Sequence, residues 1–451
     1  MTKENTQPTI LKDLGDGLVL RRATPEDADR LADFNSRIHS DDGPDKPFEP
    51  VGIWTKDLLT RPHPTFSPGD FTIVEDTSTG EIVSSLNLIS QEWSYAGIPF
   101  KVGRPELVGT KPEYRNRGLV RAQFEAIHAW SAARGELVQG ITGIPYYYRI
   151  FGYEMVLPLG GGRAGYLPQV PKLKDGETEA YQIRPAVESD LPFIAGLVEQ
   201  ADHRYLVSCR RNADLWRYEL NGKSSRNVNR TELYLIETLE SEPIGVLGHW
   251  FENWGPMLAA TLYEVIPGVS WAAVTPSVVR FLFAAGRALA AKDGKEAEFS
   301  SFGLWFGEDH PVYHIIPDRL PRNRKPYAWY VRVPDLPGFL RHIQPVLEQR
   351  LADSSLANHT GEIKITFYRS GLKLNFEQGR ITQISSWKPE PLGHSGDAAF
   401  PQLTFLQLLF GYRTLEELNY AFADCWWDND TAFALLNALF PKQVSSIWPV
   451  S

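Results

Sequence analysis

The sequence predicts a mixed α+β protein of three consecutive modules, the first two related by duplication. Residues 21–27 (RRATPED) are echoed by residues 184–190 (RPAVESD), 163 positions later (184 − 21). Each copy follows a short apolar run and precedes an amphipathic helical pattern, which is typical of an internal repeat. The chain has 451 residues, and single hydrophobic cores stop growing at about 250–300 residues. More than one domain is therefore expected.

The repeat continues beyond the first helix of each copy. Thr24 is a candidate N-cap, and Asp27 at the third helical position predicts a capping box. Residues 71–75 and 234–237 are both strand-like and are followed by polar turns. Coincidence between short strand–helix units is the alternative, but two matches in register favour duplication.

Breaks in composition divide the chain. Gly160 to Gly162 and the stretch 168–176 have linker composition, and a second break at 334–337 (PDLP) precedes a helical pattern over 338–352. We expect modules at 1–160, 178–333 and 334–451. In the third module the strand patterns are 363–368, 372–377 and 381–385, followed by helical patterns at 405–410, 415–420 and 431–439. This order predicts an antiparallel sheet with helices on one side.

Composition excludes several classes of protein. There are 46 Lys plus Arg against 55 Asp plus Glu, a net charge of −9, which argues against nucleic acid as the main partner and favours a cationic acceptor. Cys209 and Cys425 have no metal-ligand spacing, so neither a disulfide framework nor a metal site is expected. Without an apolar leader or a membrane-length apolar run, the protein is expected to be cytoplasmic, with no membrane span. The 13 Trp residues against 3 Met raise the question of whether aromatic rings line pockets.

Residues 106–121 (ELVGTKPEYRNRGLVR) have the pattern of a strand, a basic loop and a helix. Apolar spacing predicts a helix over about 118–134. The free N–H groups and the dipole at its start, together with Arg115 and Arg117, form an anion site, and Gly118 lets the backbone approach a phosphate closely. Solvated loop arginines are the alternative for this segment taken alone.

The second motif lies after the next strand, where residues 144–154 are IPYYYRIFGYE. The two motifs together resemble the acetyl-CoA site of the GCN5-related N-acetyltransferase (GNAT) superfamily, with Arg115-x-x-Gly118-x-Val120 as the pyrophosphate loop. The family usually has Gly or Ala at the last position, and a larger apolar residue there is typical of the enhanced-intracellular-survival (Eis) branch. That branch has two tandem GNAT domains, the second degenerate, and a sterol-carrier-like C-terminal domain, the order found here.

The other modules fit the same resemblance. In the second copy the loop is VIPGVSW (265–271), without Arg-x-x-Gly, so it is predicted not to bind the cofactor. The third module resembles the sterol-carrier domain through residues 411–418 and 439–441. The family also assembles into multimers, so the resemblance implies a homo-oligomer.

The resemblance implies acetyl-CoA as co-substrate, with no metal, and a set of residues that hold it. These cofactor-binding residues are Val108, Gly109, Thr110, Arg115, Asn116, Arg117, Gly118, Leu119, Val120 and Arg121. Tyr148 occupies the tyrosine position of the family's general acid, and a phenol with a pKa near ~10 suits protonation of a thiolate. Tyr146 and Tyr147 are alternatives in the same run, and the motif register favours Tyr148.

Three alternatives remain for the base that takes the amine proton. In the Eis branch the C-terminal carboxylate reaches the active site of the first domain, which implies Ser451. Glu106 lies at the start of the cofactor strand, where many members of the superfamily have a glutamate; its plain alternative is an exposed edge residue. In the third alternative the amine enters neutral and no side chain is needed.

The acceptor is expected to be a primary amine of the aminoglycoside, polyamine or lysine type. Asp41 and Asp42, with Trp54, are candidates to bind its ammonium groups, although the same acidic stretch is equally typical of a solvent loop. A different function is a lipid- or small-molecule-binding protein that uses the third module, with the acetyltransferase domains as a scaffold. A purely structural oligomer is the remaining reading.

Overall fold

A computed structural model describes residues 9–390 and 396–447. The first part of the chain contains eight strands and three helices within these residues. The strands are β1 (Ile10–Gly15), β2 (Leu18–Arg22), β3 (Phe71–Asp76), β4 (Glu81–Tyr95), β5 (Ile98–Thr110), β6 (Val138–Ile141), β7 (Glu154–Leu159) and β8 (Gly162–Tyr166), and the helices are α1 (Ala28–Ile38), α2 (Glu49–Thr60) and α3 (Leu119–Ala133). The helix predicted over 118–134 is therefore confirmed as α3.

The second part repeats much of this order, but it has an additional strand between its first two helices and an additional helix near its end. Its strands are β9 (Gln182–Pro185), β10 (Val207–Arg210), β11 (Thr231–Glu237), β12 (Pro243–Trp250), β13 (Met257–Val265), β14 (Ser301–Leu304), β15 (Arg322–Arg324) and β16 (Tyr327–Arg332), and its helices are α4 (Leu191–Asp202), α5 (Ala213–Arg217), α6 (Trp271–Lys292) and α7 (Pro311–Ile315). By length and composition α6 is apolar enough to cross a membrane. Val274, Val278 and Leu282 are fully buried on α6, as expected of a core helix.

The third part has a five-stranded sheet at its centre, antiparallel except for one parallel pair, so the predicted antiparallel order holds for its three long strands only. Its helices are α8 (Leu336–His342), α9 (Gln344–Ala352), α10 (Phe405–Leu409), α11 (Leu415–Ala421) and α12 (Asp430–Leu439), and its strands are β17 (Gly361–Thr366), β18 (Gly371–Glu377), β19 (Arg380–Trp387), β20 (Ala398–Ala399) and β21 (Trp426–Trp427). The single helix expected over 338–352 is two helices. They divide before Pro345, which has no N–H to continue the helix. The sterol-carrier resemblance of this module stays a prediction.

The two copies share an ion-pair cluster that explains the sequence echo, with its arginine buried in the first copy and 38% exposed in the second. In each, an arginine next to the first shared turn donates to an aspartate six residues later and to a glutamate on the neighbouring strand: Arg21 to Asp27 and Glu75, and Arg184 to Asp190 and Glu237. The aspartate also accepts from a backbone N–H, that of Thr24 in the first copy and of Val187 in the second. The capping box predicted at Thr24 and Asp27 is present.

The copies exchange their last strands. The first sheet has the order β1-β2-β3-β4-β5-β6-β16-β7, so β16 from the second copy lies between two strands of the first. The second sheet has the order β15-β8-β14-β13-β12-β11-β9, so β8 from the first copy lies between β15 and β14. Each of the two sheets contains a strand contributed by the other copy, so the sheets do not coincide with the predicted modules. The bounds of those modules stay a prediction.

The third part packs against the first sheet. Trp93 and Phe100 on the β4–β5 hairpin lie in one core cluster with Phe339 and Leu340 of α8. A short strand of the second part, β10, pairs with the far end of β4, where Cys209 lies opposite Trp93. The three parts therefore form one continuous packed structure around the β4–β5 hairpin.

Candidate active site

The candidate site begins where two parallel strands diverge. Strands β5 and β6 pair in parallel only at Val102 with Val138 and Gly103 with Gln139. Beyond these pairs β5 continues to Thr110 while β6 ends at Ile141. Open backbone groups at the carboxyl ends of parallel strands are a common place for ligands in α/β folds.

A bulge in β5 lies beside this opening. The pairing with β4 slips between Ser85 and Asn87, and Leu107 adopts a φ of 53°, in the left-handed region. A non-glycine residue in this conformation is held by its surroundings. The bulge takes residues 107–108 out of the regular ladder with β4. The Leu107 carbonyl accepts from Ser85 Oγ at 3.4 Å, so Val108 is the residue of the bulge whose backbone can pair with a ligand.

The loop before α3 forms the second wall. Gly118 is the N-cap with a φ of 75°, and a Cβ added there would meet no protein atom within 4 Å. The backbone conformation, rather than crowding by the protein, therefore requires glycine. The N–H groups of Leu119, Val120 and Arg121 have no intrahelical acceptor because they lie in the first turn.

Three arginine side chains surround this helix start, and all three are exposed. Arg117 contacts Asp16 at 3.3 Å, but Asp16 is itself 88% exposed, so the pair is weak. Arg115 donates to the Thr110 carbonyl at 3.4 Å, and the Arg121 guanidinium lies 5.5 Å from the Phe151 ring. Exposed guanidinium groups beside open amides fit a diphosphate.

Tyr148 lies at the edge of the opening in a 3₁₀ turn, Tyr147–Phe151. It is 3% exposed, and its ring packs 6.0 Å from Phe124 and 6.1 Å from Tyr330. Burial raises the pKa of Tyr148, and the charge of Glu106 raises it further. Among the described residues its hydroxyl has no hydrogen-bond partner, so the proton is free for a ligand.

The exchanged strand β16 holds the tyrosine turn in place. Tyr330 accepts a hydrogen bond from the Tyr146 N–H at 3.1 Å, and Tyr327 donates to the Gly143 carbonyl at 2.8 Å. Tyr330 is itself 3% exposed. The position of Tyr148 therefore depends on a strand from the second copy, which sequence reasoning missed because no local pattern encodes pairing over that separation.

Glu106 is buried rather than an exposed edge residue. Its carboxylate forms an ion pair with Arg104, which is fully buried, and burial raises the pKa of Glu106. Asn87 lies opposite Glu106 in the β4–β5 ladder and is fully buried, and neither polar atom of its side chain has a partner in the part of the chain that the structure describes. A buried unpaired amide is unusual and indicates a place for water or ligand.

His39, at the end of α1, is a second residue that no sequence motif selects. It bonds to the Leu107 backbone at the bulge, and burial lowers its pKa, so the imidazole is neutral near pH 7. Its Nε2 is buried without a partner. His39 and Asn87 could have been found only from their positions in three dimensions.

The predicted acceptor pocket is not formed as expected. Asp41 and Asp42 lie in an exposed turn after α1, whereas Trp54 is 5% exposed in the core between α1 and α2. Trp54 shares a helical face with Val51 and Leu58, and this spacing directs its ring inward. A joint site of Trp54 with the two aspartates is therefore wrong. Ser451 lies outside the described residues.

The second copy has no equivalent of the basic loop. Between β13 and α6 the chain takes only the short turn 266–270, capped by Ser270, and it contains no arginine. A turn without arginine offers no side-chain cation to a diphosphate. That this copy does not bind the cofactor stays a prediction.

The diverging strands, bulge, open helix start and buried tyrosine together form the candidate site, and all of them lie within residues 102–151. Residues 19–156 match the family of the acetyltransferase (GNAT) domain. The chain therefore contains a GNAT acetyltransferase domain, and domains of this family use acetyl-CoA. No curated protein matches the sequence significantly.

Solved structures share the fold over nearly the whole chain. A probable N-acyltransferase from Enterococcus faecalis V583 has a TM-score of 0.62 at 14% identity, covering 96% of this chain and 99% of that one. A GCN5-related N-acetyltransferase from Kribbella flavida has a TM-score of 0.60 at 15% identity, covering 95% and 97%. Eis1 from Mycobacterium abscessus has a TM-score of 0.53 at 13% identity, covering 95% and 99%. At these identities the likeness is one of fold alone.

Proposed function

We propose that the first copy transfers the acetyl group of acetyl-CoA directly to a primary amine in a ternary complex. The observation that carries this proposal is the junction of three features at one opening: diverging strands, an open basic helix start and buried Tyr148. Acetyl-CoA supplies an activated thioester, and the protein residues bind, orient and exchange protons around it.

The donor would lie across the opening between β5 and β6. Arg115, Arg117 and the first-turn N–H groups of α3 would hold the diphosphate, because they present positive charge and free donors. Val108 and Gly109 would pair with the pantetheine amides along the edge of β5 that β6 leaves open beyond Gly103, with Val108 outside the ladder to β4. Any side chain at Gly118 would point into this space.

The chemical step needs two proton transfers. The amine nitrogen attacks the thioester carbonyl, a C–N bond forms, and the C–S bond breaks to release a thiolate. We assign Tyr148 as the acid that protonates this thiolate, since its raised pKa keeps its hydroxyl protonated. Glu106 would take the proton that the amine loses, because burial raises its pKa and so its basicity. The carboxylate of Ser451 remains the alternative base.

The acceptor class follows from charge. The chain carries a net charge of −9, and Asp41 and Asp42 form an exposed acidic turn on the α1 side of β5. An aminoglycoside-, polyamine- or lysine-like amine would be attracted to this side. A cytoplasmic location and a homo-oligomeric state complete the proposal as expectations from the sequence.

Isothermal titration calorimetry with acetyl-CoA tests the donor site. We expect one acetyl-CoA per chain, and we expect the double variant Arg117→Glu with Gly118→Asp to abolish binding. Arg287→Glu is the matched control, since Arg287 is 65% exposed on α6 of the second copy and should leave affinity unchanged. Equal binding by the double variant would disprove the assignment.

A second function is favoured by one cavity in the third part. It has a volume of about 760 Å³, and Val333, Leu336, Phe367 and Phe405 are among its walls. A cavity of this size and lining suits an apolar ligand. Native mass spectrometry of the purified chain separates the two functions: a stoichiometric bound lipid together with no acetyl-CoA binding would favour the lipid carrier.

A further inference from the structure

A cavity of about 500 Å³ lies at the carboxyl ends of β13 and β14 in the second copy. These strands pair in parallel from Met257 with Ser301 to Ala260 with Leu304, and no pairs follow. The cavity thus occupies the place in the second sheet that the candidate donor site occupies in the first. Tyr263, Trp305 and Phe306 are part of its lining.

Three tryptophans meet at the side of this cavity. The rings of Trp250, Trp254 and Trp305 pack edge to face, with centroids 4.5–6.1 Å apart. The guanidinium of Arg324 lies 3.9 Å from the Trp254 ring and 4.3 Å from the Trp305 ring. The two rings are nearly perpendicular, at 84°, so the guanidinium lies in the corner between them. Contact with two aromatic rings restricts the side chain before any ligand arrives, and so reduces the entropy cost of binding.

The cations on this side have no acidic partner. Arg324 and its neighbour Lys325 both line the cavity, and neither forms an ion pair within the described residues. An arginine held on aromatic rings without a carboxylate presents its N–H edge to whatever enters. A planar fork of donors of this kind is suited to carboxylate or phosphate.

The acidic groups of the cavity are largely neutralised. Glu264 is paired with Arg204 and lies 3.5 Å from His310. Burial raises the pKa of Asp202 to about 7, so its negative charge is incomplete near neutrality. The net character of the cavity is therefore cationic, in a chain whose overall charge is negative.

Two further polar side-chain atoms at this cavity lack hydrogen-bond partners among the described residues. Thr261 Oγ1 and Asn229 Nδ2 are buried without hydrogen-bond partners among residues 9–390 and 396–447, and both residues line this cavity. Buried polar groups are normally satisfied by protein, water or ligand. Their position gives the cavity a second polar contact beyond its cations.

We propose that this cavity binds a small organic anion, a carboxylate or phosphate monoester on a flat apolar body. The anionic group contacts Arg324 and Lys325, and the flat body lies against Trp250 and Trp305. A volume of about 500 Å³ is within the usual range for small-molecule sites. The proposal does not depend on acetyl transfer, although Tyr327, which donates to the Gly143 carbonyl beside the tyrosine turn, also lines this cavity.

The test is calorimetry on the full chain saturated with CoA, which removes competition from the donor site. The probes are naphthalene-2-carboxylate, 2-naphthyl phosphate and the neutral 2-naphthamide. We expect at least one anion to bind one per chain with a Kd below about 1 mM, and the amide to bind at least ten-fold more weakly, the difference expected for a charge-assisted contact.

Variants locate the site. Arg324→Gln should weaken the anion at least ten-fold, whereas Arg322→Gln, on the same short strand and exposed, should change it less than two-fold. Thermal melting checks that both variants fold. If Arg324→Gln does not fold, Lys325→Gln replaces it as the test variant, because Lys325 is exposed. The proposal is overturned if neither anion binds or if the amide binds as tightly as the anions. It is also overturned if the folded test variant, Arg324→Gln or its replacement Lys325→Gln, binds the anion with wild-type affinity.

Discussion

Tyr148 combines burial with a hydroxyl that has no protein partner, and this combination suits a proton donor. We expect Tyr148→Phe to lower kcat by about 100-fold, the lower range for loss of a general acid, and to leave acetyl-CoA affinity within two-fold. Steady-state kinetics and calorimetry on the same preparation measure both. Tyr147→Phe, a half-buried neighbour, is the matched control. An undiminished rate for Tyr148→Phe would remove it from the mechanism.

The pH dependence at this site follows from two raised pKa values. Because the pKa of Tyr148 is raised, its hydroxyl stays protonated through neutral and mildly alkaline pH. Glu106 acts as a base only above its own raised pKa, so activity falls as pH falls through that value. Glu106→Gln should therefore lower kcat/KM and remove the acidic limb of the pH profile. If the acidic limb of the pH profile persists in Glu106→Gln, the base is another group, and the Ser451 carboxylate is the next candidate.

Sequence reasoning reached different depths for different residues at this site. Gly118 and Tyr148 belong to contiguous motifs whose local conformation depends on near neighbours, so they could be selected from the sequence. Asn87 and His39 could not, since their importance comes from a strand register and a bulge. Trp54 was misassigned because an aromatic residue near acids resembles a pocket until its helical face is known.

At the scale of elements, β16 controls the tyrosine turn from outside the first copy. Tyr330→Phe removes the hydroxyl that accepts from the Tyr146 N–H and keeps the buried ring. We expect kcat to fall several-fold with acetyl-CoA affinity unchanged, since the turn loses one anchor of about 1 kcal/mol. The control is Tyr412→Phe, in the third part of the chain. Wild-type turnover for Tyr330→Phe would show that the hydrogen bond does not position Tyr148.

Elements formed by neighbouring residues were predicted well, and pairings between distant segments were not. The helix α3, the capping box at Thr24 and the three strands of the third part follow local spacing. The exchange of β8 and β16 has no local signature, because a strand pattern does not specify which sheet it joins. The echo of residues 21–27 was visible because its ion-pair cluster is built mostly from residues close in sequence.

At the scale of the whole molecule, the exchange of strands makes the two copies one cooperative unit, because each sheet is incomplete without a strand of the other. Leu282 is fully buried in α6 of the second copy, and Leu282→Ala should cost about 2–5 kcal/mol. We expect this loss to appear in both copies, as an equal downward shift in the unfolding midpoints of peptides from β13 and from β5.

Hydrogen–deuterium exchange along a denaturant series measures these two midpoints separately. Leu239→Ala is the matched control, since Leu239 is 53% exposed in the same copy and should shift neither midpoint. If β5 kept its wild-type midpoint while β13 moved, the copies would unfold independently. The exchange of strands would then not couple the unfolding of the two copies, and destabilising the second copy would not affect the position of Tyr148. Equal shifts would instead mean that any ligand which stabilises the second copy also stabilises the strand that holds the tyrosine turn.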